Sequence, residues 1–385
     1  MKSKILIIGP ITDFGGRELE VGFVSNVLSS KHEVEVCSTV TISKNSQVLD
    51  FSKSLPVFSL KSKVFKNFLW IKFLAFISYL KNNCKGSVSD YANNEWAKKH
   101  CSYDGKVLEV LNTLIPKYNL VVFFGQLSSN YVKEVIEICH DNKIKFVFRT
   151  TGKILNYQNY DYLNYVDLYI HHSESNANGL KINTHNYTVI DQCAFNEEEL
   201  LKISVVKNKV KTFLTIARLE KEKNIDVLIK AFLKISDNDK LIIIGEGSEY
   251  DNLKNLAKNN VNVIFTGFIR NHKTADFFKQ ADCIIISHYD FETGPLTGIE
   301  AMASARLILS AKTGAMEERF DGINISWFDN TVEDLYEEMV KIKNINADQA
   351  EKLSIEIRDR YISRFSKENI NARYLGVIEK VMDVS

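Results

Sequence analysis

Ten short runs of β-branched and aromatic residues recur along the chain, separated by helix-length stretches, and they fall into two groups of five. "KILIIG" from Lys4, "EVEVCS" from Glu33, "NLVVFFG" from Asn119, "KFVFR" from Lys145 and "VDLYIHH" from Val166 make the first group. "TFLTIA" from Thr212, "KLIIIG" from Lys240, "VNVIFTG" from Val261, "DCIIIS" from Asp282 and "RLILS" from Arg306 make the second. A strand that is apolar along its whole length is buried on both faces, and helices between such strands imply a parallel sheet covered on both sides. The pattern therefore predicts an α/β chain of two Rossmann-like, doubly wound domains facing across a cleft. Its 385 residues agree, because single cores usually stop growing near ~250.

The polar stretch "ISVVKNKVK" separates the groups. It puts the linker near Phe195 to Lys209, the first domain at 1–200 and the second at 201–365. The segment 366–385, with "SKENINARYLGVIEKVM", follows the second sheet as a helix that is free to pack back on the first domain.

A net charge of +1 gives no reason to expect a nucleic-acid partner. The six cysteines lie far apart, without C-x-x-C or a neighbouring His, and read as reduced thiols of a cytosolic protein. "MKSKILIIGP" has too short an apolar run for a signal peptide. In Val64 to Lys81, Lys66, Asn67 and Lys72 interrupt the run below the ~18 to 20 uncharged residues of a spanning helix.

Ligands of open α/β sheets sit beyond the carboxyl ends of the strands, so the loops there matter most. In "GPITDFGGRELE", Gly15 and Gly16 precede a helix that opens with Arg17, an arrangement that suits phosphate as well as a plain turn. Gly245 and Gly247 follow a strand, but Tyr250 stands where a dinucleotide fingerprint needs a third glycine. "ARLEKEKNID" holds Arg218 and Lys223 in one loop, a guanidinium and an ammonium fit for a diphosphate, although charge-rich loops are commonly just solvated.

The stretch "YDFETGPLTGIEAMASA" from Tyr289 carries the sharpest signal. Pro295 fits a first helical position, Gly294 permits close approach, and the amides of Leu296 and Thr297 would face an anion. Glu300 follows Leu296 by four residues and Thr297 by three, on the same helix face, and reaches back toward that helix start. A carboxylate repels phosphate, so its natural partner is a pair of hydroxyls, as on a ribose. Glu292, before the helix, is placed for a second sugar. Asp-x-Asp in "SDNDK" precedes its strand and reads as a turn rather than a metal site.

From Thr212 to Gly322 the chain resembles the GT-B glycosyltransferases of the retaining family 4 type, the glycosyl transferases group 1. "ARLEKEKNIDVLIKAF" resembles that family's "GRL…KG.d.LI.A", with Ala217 and Asn224 in place of glycines; "VIFTGFI" follows in order; "ETGPLTGIEAMA" resembles its E-x7-E motif with Glu292 and Glu300 at the ends. The resemblance implies a hexosyltransferase that uses a nucleotide sugar, UDP- or GDP-linked, with no cofactor and no metal. It implies Glu300 on the ribose, Glu292 on the donor sugar, and Arg218 and Lys223 on the diphosphate. Gly247, Gly267 and Phe268 belong to the donor side; Gly15, Gly16 and Arg17 lie toward the acceptor. Where many relatives carry His-Gly, this chain has Thr151-Gly152, so that sugar contact is lost, or falls to Thr150, Thr151 or Arg149, with His171 and His172 as substitutes. "VIDQCAFN" likewise departs from the usual hinge.

In 61–85, Lys61, Lys63, Lys66, Lys72 and Lys81 alternate with Phe68, Trp70, Phe73 and Phe76, a mixture suited to anionic headgroups, unless these helices are buried in the first domain. The resulting expectation is a cytoplasmic, peripheral sugar transferase that extends a surface glycan or a lipid-linked acceptor. A non-catalytic GT-B subunit that binds glycan or a partner transferase is the alternative, and a GT-B epimerase or phosphorylase the third.

Overall fold

The computed structural model describes residues 2–155, 157, 160–235, 238–258, 260–288 and 293–383. Among them, thirteen strands form two sheets. The first contains β1 (Lys4–Gly9), β2 (Glu33–Ser38), β3 (Val57–Ser59), β4 (Leu120–Gly125), β5 (Lys145–Thr150), β6 (Leu168–His171) and β7 (Tyr187–Val189) in the order β3-β2-β1-β4-β5-β6-β7. The second contains β8 (Thr212–Ile216), β9 (Lys240–Ile244), β10 (Val263–Gly267), β11 (Cys283–Ile286), β12 (Leu307–Ala311) and β13 (Ser326–Phe328) in the order β10-β9-β8-β11-β12-β13. Every pairing is parallel.

All ten apolar runs form strands. The strands absent from the sequence reading, β3, β7 and β13, are three-residue edges with half-buried side chains. Too few residues alternate there to give a periodicity.

Strand order reverses beside β1 in one sheet and beside β8 in the other, so the two crevices open at β1/β4 and β8/β11. They face one another. Phe14, beyond β1, meets Phe268, beyond β10, with ring centroids 5.0 Å apart. Arg270 lies over the Phe14 ring and pairs with Asp50 at 3.2 Å.

The last helix, Lys367–Asp383, returns to the first sheet, where Ile370, Tyr374 and Ile378 join the core of Leu19, Phe23 and Val27. Beneath it lies a buried polar cluster. Glu20 accepts hydrogen bonds from Arg149 Nε (2.7 Å), Tyr374 Oη (2.8 Å) and Gln192 Nε2 (3.0 Å), with His172 Nε2 at 3.4 Å. Burial alone would raise its pKa, but the Arg149 guanidinium overrides this and holds Glu20 well below the usual carboxylate range.

Candidate functional site

The loops after β1, β8, β9 and β10 and the helix Leu296–Ala303 enclose a cleft of about 290 Å³. Phe14, Gly15, Gly16 and Gln47 line it from the first domain, and Ala217, Arg218, Gly245, Glu246, Phe268, Asn271, Leu296, Thr297 and Glu300 from the second. Two glycines fix the close approach of the β8 and β9 loops. Gly245 has φ +143°, and an added Cβ would lie 1.9 Å from the Ala217 carbonyl; at Gly247 it would lie 2.3 Å from that of Leu219. Backbone bonds from Ala217 N to Ile244 O (3.1 Å) and Leu219 N to Glu246 O (2.9 Å) complete the junction.

Glu300 is 3% exposed, and Leu296, Thr297 and Glu300 face the cleft together, as the helical spacing predicts. Thr297 Oγ1 donates to the Ile216 carbonyl at 2.9 Å and fastens the helix to the end of β8. Burial pushes the Glu300 carboxyl up to about 7, and the Asn271 side-chain amide, donating to Oε1 at 2.6 Å, offsets part of that rise. Asn271 carries no sequence signal of this role, since it lies in an unremarkable polar loop after β10.

Arg218 is a rim group, largely exposed and 3.8 Å from Glu222. Lys223, in contrast, is 4% exposed, and burial, with Arg218 adding repulsion, lowers its pKa to about 8. Ser287 donates to the Lys223 carbonyl at 2.8 Å, which joins the β8 and β11 loops. Beside them His288 is buried and held neutral, its pKa pushed down to about 3 by burial and then by Lys223 and Arg218. His288 carries no sequence signal of this placement, since in the sequence it looks like any residue ending a strand.

Several other residues sit differently from expectation. Pro295 is the capping residue before the helix, one position earlier than a first helical residue. Gly294, at φ +146°, makes room for Arg319, whose Cζ would lie 3.0 Å from an added Cβ, rather than for a ligand. Arg319 itself is buried, spans to Asp191 through two bonds of 2.6 Å, and donates to the Pro295 carbonyl at 2.6 Å. Gly247 and Gly267 stand behind the cleft wall. Gly247 packs on Leu219, and the Gly267 carbonyl accepts from Gly245 N at 3.0 Å. Arg17 turns back to the Pro10 carbonyl at 2.8 Å, and the Gly15 amide donates to Gln47 at 3.1 Å.

Thr151 lies in a separate depression with Gln126, Ser128 and Lys153. Of its proposed substitutes, Arg149 is consumed by Glu20, and Thr150 pairs with His171 Nδ1 at 2.8 Å. Glu292 lies outside the described residues, as do Ser236 and Asp237 of the Asp-x-Asp segment. Asp239, the other acid of that segment, forms an ion pair with Lys343.

Residues 196–360 match the family model of the glycosyl transferases group 1. The alpha-monoglucosyldiacylglycerol synthase of Streptococcus pneumoniae is 36% identical over 121 residues, 30% of this chain and 27% of that protein. An uncharacterized glycosyltransferase of Methanocaldococcus jannaschii is 31% identical over 176 residues, 43% of this chain and 42% of that protein. The matched stretches thus span between about a quarter and two fifths of those curated relatives. Two solved structures share the fold over nearly the whole chain. HepE of Anabaena, in complex with UDP and glucose, superposes with a TM-score of 0.71 at 14% identity, covering 98% of this chain and 100% of that one. Sucrose-phosphate synthase of Thermosynechococcus elongatus superposes with a TM-score of 0.74 at 14% identity, covering 100% of both. The architecture is that of the GT-B glycosyltransferases, and the family-model match falls on the half that carries Arg218, Lys223 and Glu300.

Proposed function

We propose that this protein is a glycosyltransferase that takes a hexose from a nucleotide sugar, with retention at the anomeric carbon and without a metal, and passes it to a glycan or lipid-linked acceptor. The observation that carries this reading is Glu300, a buried carboxylate on the cleft floor with one oxygen engaged by Asn271. Water serves such a group poorly, whereas the two hydroxyls of a ribose match its free lone pairs. Arg218 on the rim would then meet the diphosphate, with Lys223, buried in the loop after β8, as the second cation the motif assigns to it. As the oxygen of the acceptor hydroxyl bonds to the anomeric carbon and the bond to the donor phosphate breaks, negative charge grows on that phosphate, which takes up the hydroxyl proton. Arg218 and Lys223 would stabilise it there, an electrostatic contribution to catalysis.

The neighbour solved with UDP and glucose supports a uridine donor, and the relative that makes an alpha-glucosyl lipid supports a glucosyl group and a lipid acceptor. Glu292 is assigned to the donor sugar from the motif, and Gly15 and Gly16 to the acceptor side. The six free cysteines fit a cytoplasmic setting.

Thermal unfolding with a panel of UDP-, GDP- and ADP-sugars tests the reading. Stabilisation by one donor, about 2.7 kcal/mol at a hundred times its dissociation constant, should disappear in Glu300→Ala. A donor shift that survives this substitution would refute the site, and no shift with any donor would favour the non-catalytic subunit.

A further inference from the structure

The helix Leu69–Lys81 turns an apolar stripe outward. Ile71 and Ala75 are buried against the first domain, while Leu69, Phe73, Phe76 and Leu80, spaced by four, three and four residues, are exposed along one face. Trp70 extends that face and is 73% exposed, with its ring 6.1 Å from that of Phe73. Trp96, on the helix Glu95–Cys101, adds a further exposed ring, and Lys81 lies over it at 4.6 Å. Single exposed apolar residues are ordinary, but a continuous aromatic row of this kind calls for a covering partner.

Charge decides which partner. Between residues 60 and 101 eight lysines stand against Asp90 and Glu95, an excess of six positive charges in a chain whose net charge is +1. A second copy of the chain would bring the same excess face to face, and like charges repel. Tryptophan and phenylalanine edged by lysine match the boundary between lipid headgroups and acyl chains, where the rings bury and the ammonium groups reach phosphates. Among the described residues no helix is long and apolar enough to cross a membrane, so the contact is one of lying on the surface.

We infer that the helix Leu69–Lys81, with Trp96, seats this protein on an anionic lipid bilayer. The stripe is about 17 Å long at the helical rise. The same unit borders a polar recess of about 640 Å³, lined by Lys61, Asn93, Lys98, Asp104 and Tyr131, so a headgroup at the surface has a polar space beside it. The inference stands apart from the donor site, because none of these residues lines the donor cleft.

Co-sedimentation of the full chain with vesicles of phosphatidylcholine alone, and of phosphatidylcholine mixed equally with phosphatidylglycerol, tests it. Binding is expected on the mixed vesicles and should weaken as salt rises. The double substitution Trp70→Ser/Phe73→Ser should lower binding about tenfold or more, with circular dichroism and the thermal midpoint unchanged. Lys66→Gln/Lys72→Gln, a second variant that leaves the rings in place, should lower it roughly fivefold per lysine and flatten the salt dependence. Three results would overturn the inference: no binding to mixed vesicles at low salt, binding indifferent to the ring substitutions, or a concentration-dependent dimer in sedimentation velocity that those substitutions abolish. UDP-induced stabilisation measured on the same samples reports the donor site separately.

Discussion

Asn271 donates to Glu300 at 2.6 Å across the floor of the cleft, linking the loop after β10 to the helix that carries the carboxylate. That bond is the only one recorded for the Glu300 side chain among the described residues, and burial dominates its ionisation.

Glu300 should therefore make stability depend on pH in an unusual direction. Its pKa rises from 4.5 to about 7 on folding, so between these values the folded chain keeps a proton that the unfolded chain releases. Stability from this group is lost as pH rises through that window, by about 3 kcal/mol in all. Glu300→Gln removes the dependence, and its stability relative to wild type should grow by that amount from pH 4.5 to pH 8 in urea unfolding. An unchanged difference would mean the carboxylate is solvated.

Nucleotide affinity should pass through a maximum near neutral to mildly alkaline pH. Ribose hydroxyls donate to ionised Glu300, so affinity rises through about 7. A diphosphate needs charged Lys223, whose pKa of about 8 places the loss of affinity above that value. Titration calorimetry of UDP at pH 6, 7.5 and 9 should show both limbs, each approaching tenfold per pH unit at its far end. Glu300→Gln should remove the acid limb and Lys223→Gln the alkaline one. A flat profile would dissociate both residues from the ligand.

Local patterns gave away most of this architecture, while contacts between distant segments stayed hidden. Apolar continuity revealed all ten long strands, and the spacing of Leu296, Thr297 and Glu300 showed that they share a face. The partners of those residues are another matter. Asn271 reaches Glu300 across 29 positions and Asp191 reaches Arg319 across 128, distances over which no periodicity operates. Gly294 illustrates the same limit: its need for positive φ is local, but the group that fills the space beside it is Arg319, from a helix after the next strand.

The Arg319 and Asp191 pair joins the segment after β7 to the start of the cleft helix. Burial would raise the Asp191 pKa, and the guanidinium lowers it below the ordinary value instead. Arg319→Met strands that carboxylate without its partner and should cost about 3–5 kcal/mol. Adding Asp191→Asn should return part of the loss, since the stranded charge is then gone. Denaturant unfolding of the single and double variants measures the coupling, and additive effects would show that the pair does not act as a unit.

Tyr374 ties the returning helix to Glu20, and through it to Arg149, His172 and Gln192. The hydroxyl donates to an ionised acceptor in a dry interior, so Tyr374→Phe should destabilise by about 1.5–3 kcal/mol. Glu20→Gln should cost more, because it leaves Arg149 buried without its counter-charge. The Glu20 pKa is depressed in the fold, so its stabilising contribution is present above the ordinary carboxylate value and declines as pH falls toward the folded one. The gap between Glu20→Gln and wild type should consequently narrow in acid, whereas the Tyr374→Phe loss should persist at pH 3, where Glu20 in the fold is still ionised. Unfolding free energies at pH 7 and pH 3 distinguish this from simple loss of packing, which would leave the Glu20→Gln gap independent of pH as well.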